Sequence, residues 1–165
     1  MKGLIFGAEK AFPEAVVQKL PPQCIKDVQE AGKSIAFDLP TACGFHIFRA
    51  LETVVLMYFP VLEVPLPDER KRNLGTYILI LEGKDQNGKE VDGAKKVDEK
   101  ITGMLRHLKD SYRNPLMHPE LTLEDEEAES LFQFAISAIT QLIKDIKKWT
   151  SDVSDDEEAE LIVTP

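Results

Sequence analysis

Apolar residues return at helical spacing along most of the chain, and five segments show it. In residues 23–37, Ile25, Val28, Ala31, Ile35 and Ala36 recur every few positions, with Pro21-Pro22 in front and Pro40 behind. Residues 41–59 are more apolar. Phe45, Phe48, Leu51, Val55, Tyr58 and Phe59 cover a broad face, which predicts a central helix stopped by Pro60. Pro60, Pro65 and Pro67 mark an extended connector, after which Leu74, Tyr77, Ile78 and Leu81 give a shorter third helix inside 68–82, ended by Gly83. The polar stretch 83–93 carries Asn87-Gly88 without alternating apolar flanks, so it predicts a loop and not a hairpin. A fourth helix spans about 94–112, with Val97, Ile101, Met104, Leu105 and Leu108 on one face. Thr122 and Asp125 match a capping box, and the fifth helix they open carries the longest periodic set, from Ala128 to Ile146. With no strand signal and no internal repeat, the pattern predicts an all-α fold: an up-and-down four-helix bundle with an additional short helix.

A chain of 165 residues fits one core, placed here in residues 1–150. Asp152, Asp155, Asp156, Glu157, Glu158 and Glu160 are unrelieved by any base, so 151–165 is expected to be an acidic, disordered tail. Lysine and arginine total 20 against 29 acids, and the net charge of -9 excludes a blanket electrostatic grip on phosphate backbones. Any contact with nucleic acid must be local. Cys24 and Cys43 have neither disulfide-framework nor ligand spacing, and no cofactor or metal is expected. The apolar-looking stretch 45–62 contains His46, Arg49 and Glu52, which excludes an ordinary membrane span. The first residues fall short of a secretory apolar region, so the expected location is cytoplasmic.

Chemistry concentrates in Tyr112-Arg113-Asn114-Pro115-Leu116-Met117-His118-Pro119-Glu120. Pro115 and Pro119 disfavour the α region for the residues before them, which predicts a helix stop near Arg113 and an extended or turn conformation at His118. A guanidinium, a carboxamide and an imidazole then stand within six positions, and these groups suit phosphate chemistry: Arg clamps a phosphodiester while His passes protons near neutral pH. The competing reading is structural, with Arg113 capping helix carbonyls and His118 packed as a loop residue. Arg106, Lys109 and Arg113 follow one helical face, either as a local phosphate track or as a solvated face. Glu120, Glu124, Asp125, Glu126 and Glu127 crowd the far side of the loop and would repel an anionic substrate unless turned away. His46, Arg49 and Thr53 form a second stripe, with Glu52 beside Arg49. It reads as an ion pair of Arg49 with Glu52 or another helix, or as a face turned to the 113–118 loop. Tyr112 reads as a stacking surface for a base or, the favoured reading, as packing at its helix end.

The run R-N-P-L-M-H is an instance of an R-x4-6-H signature with a polar residue after the Arg, and it resembles that of the HEPN superfamily. Phe12-Pro13-Glu14-Ala15, Asp27-Val28-Gln29-Glu30-Ala31-Gly32-Lys33 and the block from Thr41 to Glu52 look like the first half of a bacterial HEPN-like group, so the likeness covers roughly residues 6–149. The resemblance implies a small helical bundle and a metal-independent endoribonuclease, often a toxin or antiphage effector. Arg113 and His118 would be its catalytic pair, and Asn114 the auxiliary polar residue. It also implies an RNA substrate, a homodimer with a composite cleft, and a cognate antitoxin as regulatory partner. Other members of that superfamily bind RNA, nucleotides or proteins without turnover, which is the alternative reading.

Overall fold

The computed structural model describes residues 5–118 and 122–160, and it is all-α: no strand forms among the described residues. A short α1 (Glu14–Val17) precedes α2 (Pro22–Ala36) and α3 (Pro40–Val55). Each long helix starts on a proline, the first-turn position where the missing N–H costs nothing. The two pack along each other in opposite directions across a three-residue link, in which Asp38 takes a left-handed φ of 54°.

Pro60 shortens α3 from a distance. The expected helix ran to Phe59, but α3 ends at Val55 and a separate α4 (Tyr58–Leu62) contains the proline. Pro60 has no N–H for the carbonyl four residues back and its ring crowds that oxygen. The Leu56 carbonyl accepts instead from the Phe59 N–H at 3.3 Å, a tighter turn that breaks the α register.

Only the second half of the expected third helix is α-helical. A 3-10 turn covers Glu69–Lys71, and α5 (Leu74–Leu81) begins where the Asn73 side chain accepts from the Thr76 N–H at 3.1 Å. Gly83 follows with φ 80°. The next loop folds back around Gly88, φ 85°, with one isolated antiparallel bridge between Lys84 and Glu90. The fourth helix, α6 (Glu99–Leu108), starts later than expected because the Asp98 carboxylate caps it, accepting from the Lys100 N–H at 2.8 Å.

The last helix, α8, spans Asp125–Glu160. Its first turn is closed by Glu127, whose carboxylate accepts from the Glu124 N–H at 3.0 Å, so the reciprocal half of a capping box falls at Glu124/Glu127 and not at Thr122/Asp125. Helical backbone continues ten residues into the stretch expected to be a tail; residues 161–165 lie outside the described residues. α8 lies along α3 in the same direction: Cys43 Sγ reaches the Ala128 carbonyl at 3.9 Å, and the Tyr58 hydroxyl donates to Asp145 Oδ2 at 3.0 Å. Fully buried Ile47, Leu51, Tyr58, Phe59, Leu131, Phe132 and Ile139 fill the space between. The apolar run from Pro40 to Leu62 is long enough to cross a membrane, but half of its most apolar window is buried inside the chain.

Gly44 fixes how closely the segment after α6 approaches α3. A Cβ there would come within 2.8 Å of Leu116 Cδ2 and 2.9 Å of Leu123 Cδ1. Gly44→Leu should therefore lower unfolding stability by about 2 kcal/mol through overpacking. Gly103→Ala, at a helical site with nothing within 4 Å, should raise it by about 0.5–1 kcal/mol through helix propensity. Urea titrations of the two variants read both signs.

Candidate functional site

Helical backbone does not stop at Arg113. After α6 it widens into a π-helical turn over Lys109–Arg113 and resumes as α7 (Asn114–Leu116), with Asn114 itself at φ -63°, ψ -49°. The Asn114 N–H donates to the Lys109 carbonyl, five residues back. Pro115 explains the widening: in a continuous α register it would owe a hydrogen bond to the Ser111 carbonyl and would clash with it, whereas a π turn just before places the proline at the start of a new helical segment. The restriction expected at Asn114 is thus overridden by a change of helical register. His118 does adopt a turn, its N–H donating to the Pro115 carbonyl at 2.9 Å.

Arg113 points across the molecule to α3. Its Nε donates to Glu52 Oε1 at 3.2 Å, with side chains 24% and 26% exposed. Among the described residues the two terminal guanidinium nitrogens make no hydrogen bond. Buried Tyr77 stands near the same carboxylate, its hydroxyl pKa raised by burial first and by Glu52 second, while Arg72 opposes the shift. Asn114 Nδ2 donates to Asp110 Oδ1 at 3.2 Å, so the carboxamide turns back along its own helix and does not bond His118. The His118 imidazole is exposed, and no bond links it to Arg113 among the described residues.

The other two cations of the expected track are matched by carboxylates. Arg106 grips Glu82 with both arms, Nε to Oε1 at 2.6 Å and a terminal nitrogen to Oε2 at 2.5 Å, and Lys109 pairs with Asp110. Three cations in sequence thus meet three acids in space, which counts against a bare phosphate track. Of the acids beyond the loop, Asp125, Glu126 and Glu127 form the first turn of α8, where negative charge favours the helix dipole. Glu120 lies outside the described residues. Tyr112 packs, its ring edge-on to His107 at 6.2 Å, and it lines a hollow of about 240 Å³ with Ser111, Pro115, Leu116 and Leu123.

The stripe on α3 divides between two partners. Glu52 goes to Arg113, while His46 and Arg49 converge on Asp27 of α2, which sequence reasoning missed. His46 Nδ1 donates to Asp27 Oδ1 at 3.2 Å, Arg49 Nε approaches the same oxygen at 3.4 Å, and Gln23 Nε2 donates to Oδ2 at 2.7 Å. Arg49 therefore pairs with another helix and not with Glu52. The signal for Asp27 was its register. Cys24, Asp27, Val28 and Ala31 share one helical face, so the acid occupies a buried position and requires donors. Cys24 beside it is pushed up to about 12 by burial and then by Asp27, which keeps the thiol protonated. Among the described residues no group of three or more His, Cys, Asp and Glu converges as a metal would require.

No family model matches the chain, and comparisons with curated proteins and with solved structures give no match either.

Asp27 is 3% exposed and Arg49 62%, an asymmetry with a measurable consequence. Asp27→Ala should cost about 2 kcal/mol, the loss of hydrogen bonds to a buried charge. Arg49→Ala should cost less than about 1 kcal/mol, as for an exposed ion-pair partner. Denaturant unfolding separates them. Glu82 gives a pH test: the Arg106 bonds lower its carboxyl pKa below the ordinary 4.5. A depressed carboxylate stabilises the fold above the unfolded value and loses that contribution as pH falls through the folded value. The stability gap between wild type and Glu82→Gln should therefore be full near neutrality and close as pH drops below about 4.5.

Proposed function

We propose that the chain is a HEPN-type, metal-independent endoribonuclease on a four-helix up-and-down bundle with an additional short helix. It works in the cytoplasm as a homodimer and acts as a toxin or antiphage effector under a cognate antitoxin. The observation that carries this reading is the way Arg113 is held. A single bond from Nε to Glu52 orients the guanidinium and leaves both terminal nitrogens for a phosphate, five residues before an exposed imidazole.

In this reading the 2′-oxygen of RNA attacks the adjacent phosphorus, forming the O2′–P bond as the P–O5′ bond breaks. His118 takes the 2′-hydroxyl proton and a proton returns to the departing 5′-oxygen, while Arg113 stabilises the anionic phosphorus centre. The products are a 2′,3′-cyclic phosphate and a 5′-hydroxyl, so the atoms balance without any co-reactant. Asn114 is an auxiliary donor once released from Asp110, and Glu52 is a positioning residue.

A second reading is favoured by the carboxylates that Arg106, Lys109 and Arg113 already hold: the same bundle binds RNA, a nucleotide or a protein without turnover. Cleavage assays on purified wild type, His118→Ala and Arg113→Lys decide between them. The catalytic reading expects His118→Ala to slow cleavage by roughly 10²–10⁴-fold at unchanged Tm. It expects Arg113→Lys, which keeps a charge for Glu52 but loses the planar fork, to lose roughly 10²-fold. A well-folded His118→Ala enzyme cleaving at the wild-type rate rejects the proton-transfer role. Wild type that binds RNA and leaves it intact establishes the second reading.

A further inference from the structure

Two large apolar side chains stand in solvent beside the 113–118 turn. Phe45 is 44% exposed and Met117 56%. Each is the chain neighbour of a residue in the tight Gly44–Leu116 contact, so both border the place where the turn seats on α3. Phe45, Arg49 and Glu52, at i, i+4 and i+7, share one face of α3, and Glu52 at the end of that row holds Arg113. The row therefore runs from an open aromatic ring, through an open guanidinium, to the Arg113 pair.

The charges along this row are layered. Arg49 is 62% exposed, yet the carboxylate that pairs with it is buried at 3%. Solvent meets the cation and not the acid, which is unusual on a chain of net charge -9. Along α3 the ring of Phe45 is followed by charge, a combination that suits a nucleotide: a π-surface for the base and a guanidinium for the phosphate. Arg49 lies one helical turn on, about 6 Å along the axis.

We propose that Phe45 and Arg49 form a subsite for one unpaired nucleotide flanking the scissile phosphodiester, with the base stacked on the Phe45 ring and its phosphate on Arg49. This deepens the ribonuclease reading and rests on it for the neighbouring scissile group. It makes single-stranded RNA, or an unpaired loop, the substrate class, because a base inside a duplex has no free face to offer.

The test uses the full chain and a short, fluorescently labelled single-stranded 2′-O-methyl RNA, which lacks the attacking hydroxyl and is bound without being cut. Phe45→Ala should weaken binding roughly tenfold, the effect of losing one base–aromatic stack, and Phe45→Trp should restore it. Cleavage of the matching unmodified RNA is measured in parallel, as is the self-association of each variant by sedimentation. If wild type cleaves but Phe45→Ala binds as tightly as wild type, the subsite is wrong and the ribonuclease reading survives. If Phe45→Ala weakens binding while even wild type fails to cleave, the nucleotide contact stands and turnover is what fails. Wild type that does not bind the oligonucleotide overturns the subsite, as does a Phe45→Ala variant whose only change is lost self-association.

Discussion

A proline cannot donate a hydrogen bond, and two consequences of that fact organise this molecule. Pro60 leaves the Leu56 carbonyl to be taken by a nearer N–H, which ends α3 one turn early and lets α4 swing Tyr58 beneath α8. Pro115 is met by a different solution. The helix widens by one residue over Lys109–Arg113, so the carbonyl that the proline could not serve is no longer asked for in α register. Helical direction survives into α7, and Leu116 is delivered onto Gly44.

The polar groups follow the same economy of donors and acceptors. Buried Asp27 accepts from Gln23 and His46 and pairs with Arg49, and Asp145 accepts from Tyr58 and Trp149. Each carboxylate ties elements that the apolar core also joins, and these contacts specify register more than they add net stability, since desolvating a carboxylate offsets much of what its donors return. The Tyr58 hydroxyl is driven well above its ordinary pKa by burial and then by Asp145, which favours the protonated, donating form.

Helix identity was legible in the sequence because burial on one side of a helix writes a 3.6-residue period into the apolar positions. Residues 23–37 and the long periodic set after Ala128 show this plainly, and both fold as expected to within a residue or two at their starts. Boundaries governed by hydrogen-bond accounting were less legible. Nothing in the local pattern tells whether Pro60 stops a helix or starts a turn upstream, or whether a π turn will absorb Pro115. Around the 113–118 turn, the sequence singled out Arg113, Asn114, His118 and Glu52 as candidates, but the meeting of Glu52 with Arg113 spans sixty-one positions and depends on packing that periodicity alone does not encode. Asp27 was hidden for the opposite reason: an acid on an apolar face is visible, but its significance appears only when donors from α3 arrive.

The Arg113–Glu52 pair sets a balance on which any role of this turn depends. A guanidinium free in water samples many rotamers, and ordering it on a substrate has an entropic cost of up to about 2 kcal/mol. Glu52 removes part of that cost in advance, because the bond to Nε fixes the plane of the fork. The same carboxylate also offsets positive charge that an incoming phosphate would otherwise meet, at a site where partial burial weakens solvent screening. Preorganisation and attraction therefore oppose each other in one contact. Pairing through Nε favours the first, because among the described residues it is the guanidinium's one hydrogen bond and the two terminal nitrogens are unbonded. A bidentate grip such as Arg106 makes on Glu82 would have occupied Nε and one of the two terminal nitrogens. The two arginines, seven residues apart, thus differ in how many guanidinium nitrogens are paired, two on Arg106 and one on Arg113.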